Sequence, residues 1–163
     1  MKKAIALLPL LSLAYKPYQI ETIKTTFNKA KEFNLQYTMT AITIVESNAG
    51  KYKLNINKDN SLDCGVFMVN TKTLSNNKWK QARLCERLQK DYDFSFSVAL
   101  ERFKYFYNYW ISKGYSKSIS WKRAICSYNS GFNYKNGLAY YHKIVKTIKE
   151  LHNGYYKKIL RPR

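Results

Sequence analysis

A chain of 163 residues is long enough for a single domain to bury most of the surface its unfolded form exposes, and 45% hydrophobic with 16% aromatic residues excludes a disordered chain. Lys and Arg number 29 against 10 Asp and Glu, a formal charge of +19 that favours a polyanionic partner without choosing among nucleic acid, a membrane face and a wall polymer. Lys, Asn, Ile and Tyr are frequent throughout, so part of that excess is general composition rather than a mark of a partner.

The chain opens "MKKAIALLPLLSLAYK". Lys2 and Lys3 precede an apolar stretch over 4–14 that is too short to span a bilayer, and Ser12-Leu13-Ala14 supplies the small residues an export peptidase reads. This predicts a signal peptide over 1–14 and an exported, periplasmic or extracellular domain over 15–163, with an uncleaved N-terminal anchor or an ordinary first helix as the alternatives. Ile20, Ile23, Phe27, Ala30 and Phe33 recur at helical spacing and predict a helix from about 17 to 32. A second helix is expected from about 37 to 46, ending at Ser47-Asn48-Ala49-Gly50, where Gly50 can supply a left-handed cap. Over 54–70, "LNINKDNSLDCGVFMVN", the period changes to short strand-like runs about a polar turn at 57–61, which predicts a small β-hairpin. Helical spacing returns with Val98, Phe103, Phe106, Tyr107 and Trp110, closes at Gly114 and resumes from about 120 to 127. It recurs as Leu138, Tyr141, Val145, Ile148 and Leu151. The fold class is mainly α: one helical domain with one small β element, without repeats or linkers.

Cys64, Cys85 and Cys126 allow three single-bridge pairings and leave one thiol over. Cys64 with Cys85 is the favoured bridge, since the two flank the hairpin and the segment after it. No Cys or His stands at metal-ligand spacing from any other; His142 and His152, both in the last helical stretch, read as solvated or packing residues, so no metal is expected.

Three stretches depart from this background: Glu46-Ser47 at a helix end, "CGVFMVN" over 64–70 and "SYNSG" over 127–131. Glu46 follows Ala41, Ile42, Ile44 and Val45, and an apolar surround disfavours the charged form of a carboxyl, raising a Glu from about 4.3 toward about 6. That is what a general acid for glycosidic cleavage needs. The alternative for Glu46 is a surface residue at a helix end, and for Tyr128 and Asn129 a packing and capping pair.

The order and separation of the three stretches, 19 residues from Glu46 to Gly65 and 63 from there to Tyr128, resemble the lytic transglycosylases of the soluble-lytic-transglycosylase type and their goose-type-lysozyme relatives. That family shows Glu-Ser, then Gly-Leu-Met-Gln or Gly-Val-Phe-Gln leading to Asn, then Ala-Tyr-Asn-x-Gly. The resemblance covers about residues 37–135 and implies an α+β lysozyme-like fold. It implies Glu46 as the catalytic acid and Ser47, Gly65, Val66, Phe67, Met68, Asn70, Tyr128 and Asn129 as residues that support the site or bind substrate. Tyr128 could orient the carboxyl or contact a sugar, and Asn129 could position the turn. Two positions depart from the family. Met68 stands where it has Gln, which removes a donor and leaves a weak acceptor, and Ser127 replaces Ala.

The implied reaction is peptidoglycan cleavage between N-acetylmuramic acid and N-acetylglucosamine, with one Glu as acid and then base, a 1,6-anhydro product and no metal or organic cofactor. Asp59 and Asp63, the acidic residues near the motifs, are the candidates for a second carboxylate in a lysozyme-type hydrolase on the same fold. A non-catalytic wall binder altered at Met68, or a basic nucleic-acid binder using the tail "YYKKILRPR", is the other class; an export signal argues against nucleic acid as partner. A monomer acting on glycan strands is expected. Wall turnover, wall opening for a secretion or pilus assembly and phage lysis all suit this sequence.

Overall fold

The computed structural model describes residues 15–160; the proposed signal peptide over 1–14 lies outside them. Among these residues seven α-helices run in order: α1 Pro17–Ala30, α2 Gln36–Ser47, α3 Lys78–Lys90, α4 Tyr92–Ser112, α5 Lys117–Ser130, α6 Leu138–Asn153 and α7 Tyr155–Leu160. Between α2 and α3 stands a small antiparallel sheet of β1 Leu54–Ile56, β2 Leu62–Cys64 and β3 Val69–Asn70, in the order β1-β2-β3. The mainly α class with a small β element is as expected, but the hairpin gains a third strand, because the chain turns back at Gly65 and pairs Cys64 with Val69. Among the described residues no helix is long and apolar enough to cross a membrane.

Helix α2 is the centre of the domain. Thr38 through Ile44 are all buried, so it is enclosed on every side by α1 and α6 rather than lying amphipathic on a surface. Its left-handed cap is Asn48 and not Gly50: Asn48 has φ 51° and donates its backbone N–H to the Ile44 carbonyl, and Gly50 follows two residues later at φ 87°.

Helix α4 packs on α5 and buries a stripe of Phe96, Ala99, Phe103, Phe106 and Trp110. The Trp110 indole donates to Ser127 Oγ at 3.1 Å, so the hydroxyl that Ser127 adds at this position has a partner. Helix α3 does not follow from apolar spacing. It is started by Asn77, whose side chain accepts from the Lys80 N–H at 3.0 Å, and is tied to β2 by the Cys64–Cys85 disulfide. Closing a loop of 21 residues restricts the unfolded chain by about 3 kcal/mol. Cys126 is buried and reduced. His152 is a packing residue, stacked on Tyr37 at 3.6 Å between ring centroids.

Candidate active site

Glu46 occupies the last turn of α2, and the backbone beyond it bends through three successive left-handed residues, Asn48 (φ 51°), Ala49 (φ 55°) and Gly50 (φ 87°). An alanine in this region costs about 1–2 kcal/mol, so the turn persists only because its surroundings hold it. Ser47 is what holds it. Its buried Oγ accepts from the Gly50 N–H at 2.8 Å and lies 2.7 Å from the Val66 carbonyl, to which it donates. Gln19 of α1 adds a bond from Nε2 to the Asn48 carbonyl at 2.7 Å.

The second motif is fixed in turn. Gly65 has φ 79°, and a Cβ there would run into the Leu88 carbonyl and Ser95 Oγ, so only glycine lets the loop sit against α3 and α4. Val66 and Phe67 are buried in the core rather than open to a substrate, and it is their carbonyls that serve the site: Val66 anchors Ser47, and Phe67 accepts from the Tyr128 hydroxyl at 3.1 Å. The three motifs are therefore bonded to one another through the backbone at 66 and 67. The Tyr128 hydroxyl donates to Phe67 while the residue lines the same cleft as Glu46.

These elements surround a polar cleft of about 580 Å³ with Glu46 in its wall. Asn57, Asp59, Ser61 and Asp63 face it from the sheet, Met68, Asn70, Lys72 and Thr73 from the loop beyond, and Arg102, Tyr128 and Asn129 from α4 and α5. Met68 thus faces the cleft, with its backbone at φ 47°, while Asn129 is exposed at the rim. Glu46 is pushed from the ordinary 4.5 up to about 7, chiefly because its surroundings remove water from the carboxylate. The Tyr140 hydroxyl opposes the rise, the negative charge of Asp63 adds to it, and the Arg102 guanidinium opposes it.

Tyr140 and Arg102 were not singled out in the sequence. The Tyr140 hydroxyl is buried beside Glu46 and meets no acceptor at hydrogen-bond geometry among the described residues. Burial first, and the Glu46 charge second, hold the Tyr140 hydroxyl well above its ordinary pKa, so it remains a neutral donor.

The two aspartates differ. Asp63 accepts from Asn70 Nδ2 at 2.8 Å on one oxygen and from Asn57 and Asn55 Nδ2 at 2.9 and 3.3 Å on the other, which locks its carboxylate facing the cleft. Asn70 also donates to Ser61 at 2.9 Å, and its own oxygen accepts from the Lys72 N–H at 3.0 Å. Asp59 is an exposed turn residue. The Ser61 hydroxyl beside it, the Ser61 backbone N–H it accepts from at 3.1 Å and Lys72 at 3.1 Å draw it down to about 2. Among the described residues no group of three or more His, Cys, Asp and Glu is placed to hold a metal ion.

The arrangement can donate a proton near neutral pH from one carboxyl, with a second carboxyl group, that of Asp63, fixed in the same cleft. No protein-family model, no curated protein and no solved structure matches this chain.

Proposed function

We propose that this protein is an exported peptidoglycan lytic transglycosylase that acts on glycan strands as a monomer and needs no cofactor. The observation that carries the reading is Glu46: one carboxyl, held at about 7 by loss of water, in the wall of a polar cleft where the three motif stretches meet. In the reaction Glu46 gives its proton to the bridging oxygen as the C1–O bond breaks, and the sugar leaves as an alcohol. The Glu46 carboxylate then takes the proton from the muramic acid 6-hydroxyl as O6 closes onto C1. The acid is regenerated and no water is consumed.

A second reading, a lysozyme-type hydrolase, is favoured by Asp63, whose carboxylate is oriented by three amide donors as a water-holding base would be. Mass spectrometry of purified sacculi incubated with the protein tests both. Muropeptides ending in 1,6-anhydromuramic acid support the lyase, reducing ends support the hydrolase, and no release of muropeptides overturns both.

A further inference from the structure

The small sheet has two faces. Asn55 of β1 bonds to Asp63 of β2, whose carboxylate faces the Glu46 cleft. Side chains alternate along a strand, so the cross-strand pairs Leu54 with Cys64 and Ile56 with Leu62 project from the opposite face. Helix α3 covers the Cys64 end of that face through the disulfide and leaves a groove of about 440 Å³, with Leu54 and Leu62 on one wall and Ala82 and Gln89 on the other. Leu54 is 48% exposed and Ile56 65%, and Trp79, one turn before Ala82, is 84% exposed. The core does without all three, since Cys85 and Leu88 are what α3 buries.

Cations surround this apolar patch. Lys53 lines the groove, Lys51 lies 4.9 Å from the centroid of the Tyr52 ring, and Lys78, Lys80 and Arg83 flank Trp79 in α3. Among the described residues none of these cations forms an ion pair. The neighbouring carboxylates are already matched: Glu86, which lines the groove, with Lys90 at 2.7 Å, Asp91 with Arg87 at 3.4 Å, and Asp59, in the turn beyond Ile56, with Lys72 at 3.1 Å.

A polyanionic chain would match the cations and leave Leu54, Ile56 and Trp79 in water. A protein partner would need a pocket shaped for an indole that protrudes between lysines. An anionic bilayer matches both features, because its phosphates take the cations and its interfacial layer accepts aromatic and aliphatic side chains without a shaped pocket. We propose that the back of the sheet and α3 dock this protein on an anionic membrane surface, with Trp79, Leu54 and Ile56 entering the headgroup layer. The Glu46 cleft, on the other face of the sheet, is then turned away from the lipid. The inference does not rest on the role of Glu46.

Flotation with vesicles of phosphatidylcholine alone, and of phosphatidylcholine with phosphatidylglycerol, tests the docking. The protein should bind the anionic vesicles about tenfold or more tightly, and the preference should shrink as salt rises, since each cation brought to an anionic surface strengthens binding about fivefold. Tryptophan emission should shift to the blue on those vesicles as Trp79 leaves water, while Trp110 and Trp121 stay bonded to Ser127 and Thr38 inside the fold. Trp79→Phe should still bind and lose the shift. The double variant Ile56→Ser with Trp79→Ser should bind about tenfold more weakly with an unchanged melting curve, because both side chains are exposed. No binding to anionic vesicles overturns the proposal. So does binding with no blue shift, a shift that survives Trp79→Phe, or binding that the double variant leaves untouched, each of which means attraction by net charge alone. A dimer that the double variant abolishes, in a protein that ignores vesicles, also overturns it and gives the patch to a second copy of the chain.

Discussion

Glu46→Gln preserves the size of the side chain and removes its proton, so it separates two consequences of burying this carboxyl. The gap between about 7 in the fold and 4.5 in a free glutamate corresponds to about 3 kcal/mol of unfavourable free energy once the group ionises. Because the folded value is the higher one, the native state binds the proton more tightly, and stability falls as pH rises from about 4.5 to about 7. Above that range the wild type bears the whole penalty and the glutamine variant none. Below it both side chains are neutral. Urea denaturation at pH 4 and pH 8 should find the two proteins alike at pH 4 and Glu46→Gln more stable at pH 8, by up to about 3 kcal/mol and by less where water reaches the partly exposed carboxyl. Glycan cleavage by the same variant should fall about 10²- to 10⁴-fold, the usual loss of a positioned acid. A stability difference independent of pH would refute the claim that the fold keeps this carboxyl protonated, and full activity would refute its role as acid.

Asp63→Asn should leave activity within about tenfold if muramic acid supplies its own nucleophile and lower it by more than about 10² if Asp63 holds a water, with product analysis reading the difference. Since the Asp63 charge raises Glu46, the same variant should also move the alkaline limb of the pH–rate profile downward, whereas Asp59→Asn, at an exposed ion pair, should change little. Tyr140→Phe should move that limb upward, because its hydroxyl favours the ionised form of Glu46. The deleted hydroxyl has no hydrogen-bond partner among the described residues, so a melting curve should show no loss of stability. Met68→Gln should keep the fold, as the side chain faces the cleft and the positive φ disfavours both residues alike, and should raise activity or broaden the range of muropeptides released; no change would mean the site has adapted to the thioether.

The elements that were legible in the sequence are those whose burial follows a helical period. Helix α4 shows this with Phe103, Phe106 and Trp110. Helix α3 was not legible, because only Cys85 and Leu88 of it are buried and Trp79 is 84% exposed; an Asn cap and a disulfide stabilise it instead of an apolar stripe. In α6 the sequence offers aromatic or aliphatic residues at adjacent positions, and of the expected stripe, Leu138, Tyr141, Val145, Ile148 and Leu151, Leu151 is buried, Tyr141, Val145 and Ile148 are half-buried and Leu138 is exposed. The buried stripe is Tyr140, Ile144, Thr147 and Leu151, with Thr147 concealing the period, and Tyr140 beside the acid was missed for that reason. Arg102 did leave a signal: it is a cation three residues after Ala99 and four before Phe106 on an otherwise apolar face. The bonds from Ser47 to Val66 and from Tyr128 to Phe67 left none, since any residue supplies a carbonyl.

A protein of charge +19 would be expected to pull every carboxyl toward ionisation, and the cleft shows where that long-range effect gives way. Asp59 follows the expectation: exposed and hydrogen-bonded to Lys72, it sits at about 2. Glu46 lines the same cleft and moves the opposite way, to about 7. The surface cations act across water and salt, where their influence fades within about 8 Å at physiological ionic strength, while loss of hydration and the nearby Asp63 act on Glu46 where screening is weak. Two carboxyl groups in one cleft are thereby moved in opposite directions by their surroundings, and near neutral pH Glu46 is the one of the two that still holds a proton to give. On the proposed reading the acid is then the same residue whether the glycosidic bond is resolved by the sugar's own hydroxyl or by water, and the choice between those outcomes would fall to Asp63, whose carboxylate Asn57 and Asn70 hold toward the cleft.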